Sequence, residues 1–229
     1  MGERPSEPCK ISPEFYSKDK ENAMGMNVAE FDDVARNVFA TVYITLAKQI
    51  KEETDITRGV CLDVGSGGGY LSIALAKITN LDFVLLDRSQ EMLDIAERNI
   101  VEAGLENRLR ILLADVHEIP LNDCSVDIVV SRGSVFFWED QTKAFKEIYR
   151  VLAPGGVTFI GGGFGSAKLK KRVDEKMMAR QKDWLNITKE RLSSSTMMKF
   201  RAALDEAGVP AEIRQIEAGF GIMIKRSAV

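Results

Sequence analysis

"CLDVGSGGGYLSIALA", Cys61 to Ala76, sets four glycines in five positions between two apolar runs. One glycine would serve a tight strand-to-helix turn. Four in a row of five open the main chain to a ligand, because each missing Cβ removes bulk and permits backbone conformations closed to other residues. A nucleotide phosphate loop needs GxxxxGK[ST], and nothing of that form is present. The dinucleotide pattern GxGxxG, laid from Gly65, puts its last glycine at position 70, which is Tyr70. The spacing that fits is acidic-x-Gly-x-Gly-x-Gly, carried by Asp63, Gly65, Gly67 and Gly69, with Gly68 between.

Outward from this loop the chain alternates short β-like runs with helical stretches. "GVCLDV" reads as a buried strand and Tyr70 to Ile78 as the helix after it. "LDFVLLD" is a second strand. Ser89 is a fitting N-cap for a helix that Gly104 stops. "RLRILLAD" and "VDIVVS" are the third and fourth strands, Asp140 caps the next helix, and Pro154, Gly155 and Gly156 end it before the fifth strand, "GVTFIGG". Apolar strands separated by helices pair in parallel with both sheet faces covered. Near the C-terminus "AEIRQIEA" and "FGIMIKR" are separated by so little chain that only an antiparallel hairpin is open to them, which puts one reversed strand at the end of the sheet.

On the N-terminal side, apolar residues from Phe31 to Ile50 recur at intervals of three and four and predict one helical face from Val28 onward. Residues 1–27 are polar, hold three of the six prolines, and are either a tail or a lid. The expected organisation is therefore an N-terminal segment 1–27 followed by a single domain 28–229, with a helical insert at about 166–192. From Lys168 to Arg191 that insert has nine positive and four negative residues, read first as a solvated face.

With 45% hydrophobic and 28% charged residues and a net charge of −3, the chain has the makings of a soluble globular core and no bias toward polyanions. It lacks an apolar run long enough to span a membrane and an apolar signal core at its N-terminus. Cys9, Cys61 and Cys124 are too widely spaced for a thiolate zinc site or a disulfide framework, and a cytoplasmic location is expected.

Taken together, Gly59 to Gly163 resembles the class I S-adenosylmethionine (SAM)-dependent methyltransferases, whose first motif has the form Asp63-x-Gly65-x-Gly67-x-Gly69. Asp87 ends the second strand at the family's ribose-binding acid, Asp115 ends the third where the family reads the adenine amino group, and "EIYRVLAPGGVTFIGG" matches the stretch into strand five. The resemblance implies a Rossmann-like, doubly wound α/β fold of seven strands in order 3-2-1-4-5-7-6, strand seven antiparallel. It implies SAM as cofactor, S-adenosylhomocysteine as product, and a cofactor set of Asp63, Gly65, Ser66, Gly67, Gly69, Asp87, Arg88, Asp115, Val116 and Ser131.

The reacting end is expected where strand four runs into "SRGSVFFWED". The tetrapeptide of amino-methylating nucleic-acid enzymes and the Pro-Cys pair of cytosine methylation are both absent, which disfavours DNA bases. Candidates beside the acceptor are Tyr16, Arg132, Phe136 and His117. Phe136, Phe137 and Trp138 either face the sulfonium or pack the loop onto the next helix. Arg132 either binds an acidic group or pairs with Glu139 or Asp140. His117 is either a general base or a packing and capping residue. Direct SN2 transfer to a small-molecule acceptor, in a pocket roofed by residues 11–30 and the insert, is the leading expectation. The basic insert hints at an anionic acceptor. An RNA methyltransferase using Lys168–Arg172 on phosphates, a SAM-binding protein without transfer, and a nicotinamide oxidoreductase are the rivals. Oligomeric state is not legible.

Overall fold

The computed structural model describes residues 27–216 and 218–228. Tyr16 and the N-terminal part of the expected roof lie outside the described residues.

The chain builds α1 (Val28–Asn37), α2 (Ala40–Thr54), β1 (Arg58–Val64), α3 (Tyr70–Ala76), β2 (Asn80–Asp87), α4 (Gln90–Ala103), β3 (Leu109–Leu113) and β4 (Val126–Arg132). It continues with α5 (Gln141–Val151), β5 (Leu152–Gly163), α6 (Ala167–Met178), α7 (Trp184–Arg191), α8 (Ser194–Ala207), β6 (Ala211–Ile216) and β7 (Gly219–Ile224). The strands form one seven-stranded sheet in the order β3-β2-β1-β4-β5-β7-β6. β1 to β5 pair in parallel, whereas β7 runs antiparallel to both β5 and β6. The reversed strand thus sits one place in from the edge, as the family resemblance implies and not at the sheet's end.

Alternation along each strand feeds two cores. Cys61, Phe83 and Leu85 point to the face covered by α2, α3 and α4, while Leu62, Val84 and Leu86 point to the face covered by α5 and α8. Capping matches the sequence signals. Ser89 accepts a hydrogen bond from the Met92 N–H, Asp140 from the Lys143 N–H, and Gly104 ends α4 in the left-handed conformation.

Two expectations need correcting. The apolar stripe from Val28 to Ile50 is not one helix: the chain breaks at Val38–Phe39. At the break the Phe39 ring packs against Phe164 at 6.1 Å and Trp184 at 6.2 Å. Pro154-Gly155-Gly156 does not intervene between α5 and β5 but lies inside β5. Val126 pairs with Leu152 and Ile128 with Val157, so the Pro-Gly-Gly stretch is absorbed as an irregularity in the ladder.

The insert forms α6 and α7. None of the described helices is long and apolar enough to cross a membrane.

Candidate active site

The glycine loop leaves β1 at the carboxyl edge of the sheet, with Gly65, Gly67 and Gly69 at φ of 66°, 51° and 75°. Only glycine takes that region at little cost, and two of the three positions also lack room. A Cβ on Gly65 would lie 2.3 Å from Cβ of Ser134, and one on Gly69 would lie 2.7 Å from Leu85. At Gly67 the space is looser, bounded by the edge of the Phe31 ring at 3.3 Å. The loop is pinned from below by the Gly65 and Ser66 N–H groups, which donate to the Leu86 carbonyl. The Ser66 hydroxyl is buried with no hydrogen-bond partner among the described residues.

Asp87, at the end of β2, accepts from the Gly67 N–H at 2.8 Å and the Ser89 N–H at 3.0 Å. Burial raises its pKa, against the pull of those backbone donors. Asp63 lies under the loop, 2% exposed, and accepts a hydrogen bond from the Ser72 hydroxyl at 2.7 Å. Burial pushes its carboxyl up to about 7; the Ser72 hydrogen bond opposes that rise and the nearby Asp87 adds to it.

Asp115 follows β3 and is exposed, with Val116 buried beside it. Its carboxylate accepts from the His117 N–H at 2.8 Å and also bonds the His117 Nδ1. His117 Nε2 accepts the Asp140 N–H at 3.1 Å. The imidazole therefore bridges Asp115 to the start of α5, and both of its nitrogens are engaged. Arg88 pairs with Glu139 at 3.6 Å.

At the end of β4, the Ser131 and Ser134 hydroxyls are 2.6 Å apart, and the Ser134 hydroxyl donates to the Val64 carbonyl. The Trp138 indole N–H donates to the Ser134 hydroxyl in turn, which makes Trp138 part of the packing. Arg132 pairs with neither Glu139 nor Asp140. Its guanidinium stacks over Phe39 at 4.3 Å and Tyr43 at 5.3 Å. Burial lowers its pKa, although a guanidinium stays charged at neutral pH.

Next to this strand end lies a narrow cleft. Arg132, Gly133 and Phe136 contribute from the β4 side, Phe31, Val34 and Ala35 from α1, and Trp184, Thr188 and Arg191 from α7. Its floor is the backbone of Gly162 and Gly163 on β5. Of the aromatic triplet only Phe136 faces the cleft, and it also packs on Phe200 and Phe220.

The helix α1 is tied to the loop as well as to the cleft. The Tyr70 hydroxyl donates to Asp32, and Arg36 reaches Asn99, whose amide donates to the Gly68 carbonyl at 2.8 Å. Sequence reasoning did not single out Phe39, Trp184 or Arg191. The one local signal was Trp184, an aromatic within the basic insert; Phe39 is in step with the apolar stripe and Arg191 with the charged face. The Lys168, Lys171 and Arg172 side chains are exposed, as a solvated face requires.

Among known proteins, a family profile for a methyltransferase domain matches residues 62–160. A solved structure from Methanococcus maripaludis, assigned to the S-adenosyl-L-methionine-dependent methyltransferases, is 42% identical. It superposes with a TM-score of 0.85 over 87% of this chain and 92% of its own. The uncharacterized methyltransferase YdaC of Bacillus subtilis is 33% identical over 125 residues, 54% of this chain and 67% of that protein. The ubiquinone/menaquinone biosynthesis C-methyltransferase UbiE of Rickettsia prowazekii is 34% identical over 100 residues, 42% of this chain. The match spans only 40% of that enzyme's length. With the loop, the strand-end carboxylates, the sheet order and near full-length likeness in agreement, the chain belongs to the class I SAM-dependent methyltransferases.

Proposed function

We propose that the chain transfers a methyl group from SAM to a small-molecule acceptor held in the cleft at the end of β4. The supporting observation is adjacency: Ser134 packs directly on Gly65 of the glycine loop, and Arg132 and Gly133, just before it, line the cleft. A cofactor over the loop and an acceptor in the cleft would thus meet at one strand end.

The residues present fit the cofactor. The orphaned Ser66 hydroxyl is what a polar ligand lying on the loop requires. Asp87 would hold the ribose hydroxyls, Asp115 and Val116 the adenine end, and Asp63 and Ser131 the cationic end. When bound, SAM supplies a methyl group activated by its sulfonium, which an acceptor nucleophile takes in one displacement to leave S-adenosylhomocysteine. The chain's part is alignment and exclusion of water. Phe31, Val34 and Ala35 on α1 and Trp184 on α7 give the cleft apolar surface, and a fixed geometry converts binding into reactive orientation. His117, engaged at both nitrogens, serves to position the Asp115 loop and needs no part in proton transfer. The widely spaced cysteines, with Cys61 and Cys124 both free, suit a reducing cytoplasm.

The test is incubation with methyl-labelled SAM and a metabolite extract. Label should enter a small organic product and S-adenosylhomocysteine should accumulate, both above an Asp87→Ala control. Label recovered in RNA and absent from small molecules would overturn the acceptor class.

A further inference from the structure

Helix α1 stands between the glycine loop and the cleft and touches both. Phe31, Val34 and Ala35 line the cleft, and the edge of the Phe31 ring also bounds the space beside Gly67. Asp32 and Arg36, one turn apart on the same helix, reach the loop side. One Asp32 carboxylate oxygen accepts the Tyr70 hydroxyl, and the other accepts the Arg36 Nε at 3.1 Å. Arg36 also donates to the Asn99 amide oxygen, and its guanidinium lies over the Tyr70 ring at 5.8 Å. Tyr70 directly follows the last loop glycine. Asn99, 5% exposed, gives its amide N–H to the Gly68 carbonyl at 2.8 Å. A guanidinium offers only donors, so it can meet only the oxygen of that amide. Arg36 thereby fixes which way Asn99 faces and leaves the NH2 group for Gly68. Without it the amide is free to turn, and an oxygen set against the Gly68 carbonyl would repel it.

We propose that Arg36 is a positioning residue for the cofactor: acting through Asn99 it sets the Gly68 carbonyl and so the loop, and the same clasp couples cofactor binding to the docking of α1 as a wall of the cleft. The inference rests on SAM lying over the loop and holds whatever the acceptor is. Asp87 holds the loop at Gly67 and Asn99 holds it at Gly68, so the two sides of one turn are fixed from β2 and from α1. Apolar burial fastens α1 only lightly, since Val34 and Ala35 alone of its residues are buried. Its ion pair from Asp33 to Arg180 joins two half-exposed side chains, a kind that contributes little. The clasp at Tyr70 and Asn99 is therefore the connection through which the loop reaches the helix. By linkage, a ligand that steadies the loop steadies α1, and a docked α1 favours that ligand equally.

The test is calorimetric titration of S-adenosylhomocysteine into the full chain, with hydrogen exchange of the α1 amides followed in parallel. Arg36→Ala, at a side chain 39% exposed, should weaken binding about tenfold through the lost orientation of Asn99. Arg36→Lys keeps a donor for the Asn99 oxygen and should recover most of that loss. Asp33→Asn cuts only the exposed tie to Arg180 and should leave affinity within about twofold. In the wild type, which needs no substitution to fold, saturating S-adenosylhomocysteine should slow exchange along α1 by at least about fivefold, and Arg36→Ala should abolish that protection. Unchanged affinity in Arg36→Ala, an equal loss in Asp33→Asn, or α1 exchange indifferent to the ligand would each overturn the proposal. Asp87→Ala separates the two levels of the reading. Binding lost in Asp87→Ala but intact in Arg36→Ala refutes the clasp alone, whereas binding intact in both removes the ligand from the loop and both readings fall.

Discussion

Asp63 makes the unliganded protein less stable as the solution becomes more alkaline. Its carboxyl, 2% exposed, is raised from 3.8 to about 7. A carboxyl whose folded pKa lies above its unfolded value binds a proton in the native state that the unfolded chain releases, so stability falls as pH rises between the two values. At about 1.4 kcal/mol per pH unit, the loss from this group between pH 5 and pH 8 integrates to about 2.5 kcal/mol. For a domain of this size that is a midpoint shift of roughly 5–10 °C. Asp63→Asn keeps the acceptor for the Ser72 hydroxyl and removes the titration. Its new amide donor costs about 1–3 kcal/mol if unpaired, but that penalty is flat in pH. Urea unfolding of both proteins without cofactor, at pH 5, 6, 7 and 8, should therefore give stabilities whose difference shifts by about 2.5 kcal/mol in favour of Asp63→Asn toward alkaline pH. Contributions from groups remote from Asp63 cancel in the difference. Saturating SAM, a cation, should draw the wild-type carboxyl down and flatten its slope. Parallel pH curves for the two proteins would refute the argument that Asp63 is buried protonated.

Asp87→Ala removes a partly buried carboxylate that accepts two backbone N–H groups and is assigned to the ribose; SAM binding should weaken by about 100-fold or more, at roughly 1.5–3 kcal/mol for each charge-assisted bond lost. Unchanged affinity by calorimetry would unseat that assignment. Gly65→Ala combines a left-handed backbone with a 2.3 Å approach to Ser134 and should destabilise by at least about 2 kcal/mol in denaturant titrations, with cofactor binding lost as well. His117→Ala should cost about 1–2 kcal/mol through its two lost hydrogen bonds, while the pH profile of turnover keeps its shape; a lost alkaline or acidic limb would mark the ring as a proton carrier. Trp184→Ala should cost about 3–5 kcal/mol as a core truncation, read by denaturant titration.

Strands β1 to β5 were legible as short, mainly apolar runs separated by helical stretches, and Tyr70 separates this loop from a dinucleotide turn. The carboxylates Asp63, Asp87 and Asp115 were legible because strand ends fall on one edge of a parallel sheet. What was hidden depended on contacts distant in sequence. The stripe from Val28 to Ile50 keeps its period straight through the break at Phe39, since Phe39 is apolar whether it extends a helix or turns toward Trp184. Arg191 was counted with the solvated face of the insert; its position over Phe136 and Phe137 follows from how α7 docks on the sheet, which no local pattern records. The two roles left open for Arg132 were both polar, whereas the structure stacks it on aromatic rings.

The glycine floor of the cleft implies unequal freedom to diverge. At the loop, Gly65 and Gly69 admit no side chain, so inheritance of the donor site is rigid. On the floor, a Cβ at Gly163 would meet only Leu46, at an ordinary contact distance of 3.6 Å, and its backbone is not left-handed. One methyl group there would sit in ordinary contact with Leu46 and force no neighbour to shift. On the proposed reading of the cleft as the acceptor site, Gly163 is the β5 glycine at which a substitution is tolerated while the loop glycines stay fixed.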